Sequence, residues 1–256
     1  GDEVLCGKHA FVVYKLVALL MGAKPVEVEM PGLTHDLNKM RQAVNERTKL
    51  IFLPSPNNPT GTANTEEEIH TFVRSLPQHV IFCFDEAYAE YLDSPPDLRP
   101  LIEEGHKVIC LRTFSKIHGL AALRIGYGYG AQEMIALLQR ARQPFNVNAI
   151  AQAAALGALE DDLWVTQCRK RNADGLEQLA KGLEALEIEY LPSQANFILS
   201  KPGDGRGLFT ELQKQGIITR ALGPSLAPYL RLSVGTEEEN HRLLTALEKT
   251  RTIFGA

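Results

Sequence analysis

Three apolar runs, "KLIFLPSP" (49–56), "VIFCFDEAY" (80–88) and "KVICLRTFS" (107–115), constrain the fold more than any other feature of the chain. Each reads as a continuous buried strand that ends in polar residues. Helical patterns lie between and before them. Thr65 with Glu68 forms a capping box that opens a helix over 66–76. "DLNKMRQAV" spaces Leu37, Met40 and Val44 for another helix. Further upstream, "DEVLC" is a short strand and residues 10–21 form an apolar helix stopped by Gly22. "KPVEVEM" alternates with period two and places Val26, Val28 and Met30 on one face. Buried strands alternating with helices predict an α/β fold, a mostly parallel sheet covered on both faces in three α/β/α layers.

In such sheets ligands bind beyond the carboxyl ends of the strands. Asn58, Asp85 and Lys116 fall there, each after a hydrophobic strand. Beyond "PFNVN" the texture changes. The segment from Ala149 to about Glu187 reads as helical throughout, followed by "IEYLPSQANFILS", the Pro/Gly-rich "KPGDGRG", a helix, "GIITRAL", "YLRLSVG" and a final amphipathic helix. This pattern predicts a large domain over 1–165 and a smaller α+β domain over 166–256.

The balance of charge narrows the function. With 45% hydrophobic and 23% charged residues the chain can bury a proper core, and its net charge of −4 offers no field for a phosphate backbone. Nucleic acid is therefore not expected as a partner. Cys6, Cys83, Cys110 and Cys168 form no C-x-x-C pair, which points to a reducing compartment, most simply the cytoplasm. No metal-ligand spacing occurs among the histidines. The stretch "AFVVYKLVALLMGA" is broken by Lys15 and too short to span a bilayer, so no membrane is expected. It also lacks the basic start and cleavage site of a signal peptide.

The stretch "RTFSKIHGLAALRIGY" (112–127) holds the candidate chemistry. Lys116 is either a solvated loop charge or a Schiff-base nucleophile, which must lose its proton to attack. Arg124 supplies a neighbouring cation that would favour the neutral amine, and it could also pair with a phosphate. Thr113 and Ser115 could donate hydroxyls to the same phosphate. Asp85 is a helix cap, a metal ligand or a partner for a cationic ring. Tyr88 reaches the same ligand if the chain turns helically there, and is otherwise a buried ring. "SPNNPTGT" is a tight loop in which Asn58 offers an amide donor. "GYGYG" (126–130) lacks the G-x-G-x-x-G spacing and reads as a strand of small residues. Arg231 in "YLRLSVG" and Arg220 in "GIITRAL" alternate with apolar residues, where an arginine needs a wet face or an anion to hold. Phe11 reads as a core aromatic.

Together, "SPNNPTGT", "FDEAYAEY", "RTFSKIHGLAALRIGY", "RQPFNVNAIAQAA", "PSQANFIL" and "YLRLSVGTEEEN" resemble, in order, the fold-type I aminotransferases that use pyridoxal phosphate, and among them the histidinol-phosphate aminotransferases. The resemblance spans essentially the whole chain. It implies a transamination of histidinol phosphate with 2-oxoglutarate, giving imidazole acetol phosphate and glutamate, with side activity on aromatic amino acids. It also implies a homodimer. Lys116 would form the Schiff base with the cofactor and move the substrate proton. Asp85 would pair with the pyridine nitrogen, Asn58 and Tyr88 with the ring hydroxyl, and Phe11 would stack on the ring. Thr113, Ser115 and Arg124 would hold the phosphate, Arg231 the substrate carboxylate, and Arg220 a second anion.

One departure stands at the start. Members of this family carry a segment before "GDEVL" that completes the phosphate cup and sends a tyrosine into the partner subunit's site, so the chain is expected to be a fragment of a longer enzyme. A threonine-phosphate decarboxylase shares the fold and the lysine, and "PFNVN" favours the transaminase over it. The non-enzyme alternative is an inactive truncated domain. Its sequence would not need to keep the cofactor-facing residues intact.

Overall fold

The computed structural model describes residues 1–251. The chain divides into two compact units, Gly1–Asn58 with Ala63–Val165, and Pro59–Thr62 with the residues from Thr166 onward. The first unit runs β1 (Glu3–Gly7), α1 (Val13–Leu20), β2 (Lys24–Val28), α2 (Leu37–Ala43), β3 (Thr48–Pro54), α3 (Glu66–Arg74), β4 (Ile81–Asp85), α4 (Arg99–Glu103), β5 (Val108–Thr113), β6 (Gly126–Gly130), α5 (Gln132–Ala141) and α6 (Ala149–Leu159). Its sheet has the order β2-β1-β3-β4-β5-β6. The first five strands are parallel, and β6 is antiparallel to β5.

Strand alternation sorts the side chains into two faces. Ile51, Phe82 and Val108 are register partners, as are Leu53, Phe84 and Cys110. That face packs on Met40 of α2 and on Ile69, Phe72 and Val73 of α3. The opposite face carries Cys6, Cys83 and Ile109, and Tyr14 and Ala18 of α1 are buried with them. Asp85 is in phase with Cys83 on this second face. The near-continuous apolar runs thus arise because both faces are covered.

Local signals place the helices. Asp36 caps α2 by accepting from Lys39 N–H at 3.0 Å. At α3 the capping box is complete: Thr65 Oγ1 accepts from Glu68 N–H at 3.3 Å, and Glu68 Oε2 accepts from Thr65 N–H at 2.8 Å. The "GYGYG" run is β6, an edge strand. A Cβ at Gly126 or Gly130 would lie 2.7 or 2.6 Å from the carbonyl oxygens of Arg112 and Val108, so close strand approach explains these glycines.

The long helix α7 (Asp162–Ala185) leads into the second unit, which adds β7 (Glu189–Leu191), β8 (Phe197–Lys201), α8 (Gly205–Lys214), β9 (Arg220–Ala221), β10 (Leu230–Ser233) and α9 (Glu237–Arg251). Its antiparallel sheet has the order β7-β8-β10-β9. Ile198, Leu230 and Leu232 meet Leu179 and Leu183 of α7, Leu212 of α8 and Leu247 of α9 in a separate core. Residues 59–62 join this unit because Gln194 N–H donates to Gly61 C=O at 2.8 Å. Gly61, at φ +75°, also leaves no room for a Cβ against Ser193. Among the described residues no helix is long and apolar enough to cross a membrane.

Replacing fully buried Phe84 by Ala is expected to destabilise the fold by about 3–5 kcal/mol, against about 1 kcal/mol for Thr65→Ala at the cap. Urea unfolding followed by circular dichroism measures both. Comparable losses for the two variants would contradict this account of the core.

Candidate active site

Because β1, β3, β4 and β5 are parallel, their carboxyl ends share one edge of the sheet. The chain reverses around β1, whose neighbours β2 and β3 lie on opposite sides, which is where open α/β sheets leave a crevice. Phe11, Asp85, Thr113, Ser115, Lys116 and Arg124 line one cavity of about 330 Å³ at this edge, together with Arg112. Asn58 follows β3 half-buried, and Tyr88 is buried with its ring centroid 5.2 Å from Lys116 Nζ. The structure thus brings seven of the ten residues singled out in the sequence together at the cavity, and Asn58 lies in the same unit. Arg220 and Arg231 belong to the second unit, directly opposite each other on β9 and β10. The Arg231 guanidinium lies 4.8 Å from the centre of the Phe197 ring.

Asp85 is the carboxylate among the residues that line the cavity. It accepts from Tyr14 O–H at 2.6 Å and from Ala87 N–H at 3.0 Å. Burial raises its pKa above the ordinary carboxylate value, while the bonds from Tyr14 and Ala87 and the charge of Lys116 pull the other way. The Tyr14 phenol is pushed well up, first by burial and then by the charge of Asp85. Tyr14 is fixed by stacking on Phe52, ring centres 4.5 Å apart, and it meets Phe11 edge-on at 5.8 Å.

Thr113, Ser115 and Arg124 line the other end of the cavity. Ser115 N–H donates to Thr113 Oγ1 at 3.1 Å, so the Thr113 hydroxyl proton is directed elsewhere. Arg124 is in the left-handed region at φ +55°, with Nη1 donating to Ala121 C=O at 2.8 Å. For a non-glycine residue that conformation costs about 1–3 kcal/mol, and such strain concentrates at working sites. The kink turns the chain from the 3-10 turn Ala121–Leu123 into β6.

The sequence reading missed several residues. Tyr14 lies three positions after Phe11, in an apolar helix where a tyrosine needs a polar partner. Glu86, fully buried, accepts from Arg112 at 2.9 and 3.3 Å and from Tyr129 O–H at 2.8 Å. Arg112 also stands 3.6 Å from Glu90. Burial pulls the Arg112 guanidinium down, and the bond and charge of Glu86 outweigh it, so the arginine stays firmly charged. Adjacent charges at two strand ends, Asp85-Glu86 and Arg112, were the available signal. Asn57 Nδ2 donates to His9 C=O at 3.0 Å and steadies the loop that carries Phe11.

With this geometry in view, the sequence matches the aminotransferase class I and II family over residues 1–247. The chain belongs to that family. It is 41% identical over 249 residues to a histidinol-phosphate aminotransferase of Akkermansia muciniphila, covering 96% of this chain and 69% of the relative. An Anaeromyxobacter histidinol-phosphate aminotransferase is 44% identical over 262 residues, covering 100% of this chain and 71% of its own length. Among solved structures, the Sinorhizobium meliloti histidinol-phosphate aminotransferase in complex with pyridoxal-5'-phosphate superposes with a TM-score of 0.93 at 28% identity, over 99% of this chain and 71% of that one. Thermus thermophilus aspartate aminotransferase with maleate gives 0.85 at 26% identity, over 97% and 70%. The fold is that of the fold-type I aminotransferases.

Tyr14→Phe removes a bond to the ionised form of Asp85. The expected cost is about 1.5–3 kcal/mol of stability near neutral pH. Since the folded chain holds the Asp85 proton to higher pH than the unfolded chain, Asp85 contributes most below its unfolded pKa, and this is lost as pH rises through the folded value. The variant moves that window upward, so its deficit shrinks on acidification. Denaturation curves across pH, with an NMR titration of the Asp85 carboxyl, check this; a deficit that grows in acid would refute it.

Proposed function

We propose that this aminotransferase uses pyridoxal phosphate to move an amino group from histidinol phosphate to 2-oxoglutarate, giving imidazole acetol phosphate and glutamate. The observation that carries this reading is the pairing, across one cavity, of the tyrosine-held carboxylate of Asp85 with the amine of Lys116. The identity of about 41% to proteins named for that reaction supports the substrate assignment.

The residues present fit the cofactor. The half-buried carboxylate of Asp85 suits a protonated ring nitrogen, and the hydroxyls and guanidinium at Thr113, Ser115 and Arg124 suit a phosphate. When bound, the cofactor supplies a sink for the electron pair released at the substrate Cα. Asp85 would face the ring nitrogen and favour its protonated form, a positive partner that would offset the burial that otherwise favours the neutral acid. Asn58 and Tyr88 would hold the ring hydroxyl, and Phe11 would cover the ring. Lys116 Nζ takes the proton from the Cα of the amino donor as a general base and, in the second half of the reaction, gives one to the Cα of the new glutamate as a general acid.

Arg231 and Arg220 bind substrate anions. Like charges directly opposite on neighbouring strands are unfavourable, and an anion held between them relieves that cost. Arg231 takes the carboxylate of glutamate or 2-oxoglutarate, and Arg220 takes a phosphate or side-chain acid. The enzyme works as a homodimer in the cytoplasm. Helix α1 exposes Leu16, Leu19 and Leu20 on its outer side, at 56%, 53% and 83%, an apolar face suited to a second subunit.

Lys116→Ala is expected to lower glutamate formation from histidinol phosphate and 2-oxoglutarate by more than about a thousandfold while leaving the fold intact. Full activity in that variant would sink the proposal. Comparison of histidinol phosphate with phenylalanine and tyrosine as donors tests the substrate. Carbon dioxide released from threonine phosphate would replace transamination by decarboxylation.

A further inference from the structure

The turn that carries Lys116 is fastened mostly from within. Phe114 N–H donates to Ile125 C=O at 3.2 Å, Leu120 N–H to Phe114 C=O at 2.9 Å, and Gly119 N–H to Lys116 C=O at 2.9 Å. Phe114 and Ile117 are buried, and exposed Lys116 lies between them. Gly119, at φ +72°, reverses the chain. The carbonyl of Ile117, next to the lysine, takes its donor from elsewhere. Trp164 Nε1–H, 47 residues along, donates to it at 2.8 Å.

Trp164 is itself fixed. Its backbone N–H donates to Asp161 Oδ1 at 2.9 Å, in the first turn of α7. Trp164 is 42% exposed, so burial alone does not account for a large aromatic at this position. What it supplies is a donor at the end of a rigid arm, aimed at the peptide that follows Lys116.

We propose that Trp164 is a positioning residue, whose indole N–H locks the turn so that Lys116 meets the cavity in one geometry. The inference rests on the role of Lys116 proposed above. Lys116 Nζ, 5.2 Å from the centre of the Tyr88 ring, sits on a long side chain whose reach into the cavity depends on the backbone it springs from. A hydrogen bond to a backbone carbonyl shifts a local opening equilibrium by about three- to tenfold.

The 256-residue chain has one tryptophan, so analogue incorporation in a tryptophan auxotroph is site-specific. Replacing Trp164 by 3-benzothienylalanine keeps the shape and removes the N–H, whereas 5-fluorotryptophan keeps both. Two readouts apply. One is amide hydrogen exchange across 114–120 in the chain without cofactor. The other is the share of pyridoxal phosphate that borohydride fixes at Lys116 rather than at other lysines. The benzothienyl chain and Trp164→Phe are expected to exchange about three- to tenfold faster across 114–120, with β3 and β4 unchanged, and to lose selectivity for Lys116 by a similar factor. The fluorotryptophan chain matches the parent. Unchanged exchange and selectivity in the benzothienyl chain overturns the proposal, and so does protection lost evenly across the sheet. A parent chain with no preference for Lys116 defeats the proposed function, while the exchange comparison still decides what Trp164 does.

Discussion

Two neighbouring carboxylates at the end of β4 hold the site together. Strand geometry sends Asp85 and Glu86 to opposite sides, and each meets a different set of partners. Asp85 is gripped by Tyr14 from α1 and faces the cavity. Glu86 turns toward the α2/α3 side, where Arg112 and Tyr129 close on it. A slip of one residue in β4 would exchange the two, burying the wrong carboxylate against each set. The hydrophobic register of Phe82 and Phe84 prevents that slip, so packing of the core and placement of the chemistry are one constraint.

The Glu86–Arg112 pair also ties together the two strands that matter most. Arg112 comes from β5, one residue before Thr113 and four before Lys116. Its bond to Glu86 therefore fixes the end of β5 against the end of β4, beyond what the strand ladder does. A buried ion pair gives little net stability against an apolar replacement, but losing one member strands a charge. Its worth here lies in specifying alignment. Tyr129 on β6 accepts a position in the same network, and the glycines around it let β6 approach closely enough to reach.

Much of this was legible in the sequence. The buried runs, the capping box at Thr65 and the polar residues ending each strand are local signals, and the structure realises them as a parallel sheet with Asp85 and Lys116 on its carboxyl edge. What escaped notice joins distant parts of the chain. Tyr14 and Asp85 are 71 residues apart, Glu86 and Tyr129 are 43 apart, and Trp164 reaches Ile117 across 47. Periodicity marks which face a residue takes, but not which partner meets it there. The grouping of residues 59–62 with the second unit was hidden for the same reason, since it depends on Gly61 and Gln194 meeting.

The two ends of the cavity are built by different means, and their chemistry explains why. The Asp85 end rests on strands and stacked aromatic rings, which allow little movement, and the proton placement assigned to it in the proposed function requires that precision. The end proposed for an anion rests on a turn, with hydroxyls and a guanidinium carried by a residue in a strained backbone position. An anion with several equivalent oxygens accepts donors from many directions, so small displacements there cost little. Lys116 belongs to the turn by sequence, whereas the proposed function has it act with the precision of the strands. That mismatch is what an external clamp on its neighbouring peptide would resolve.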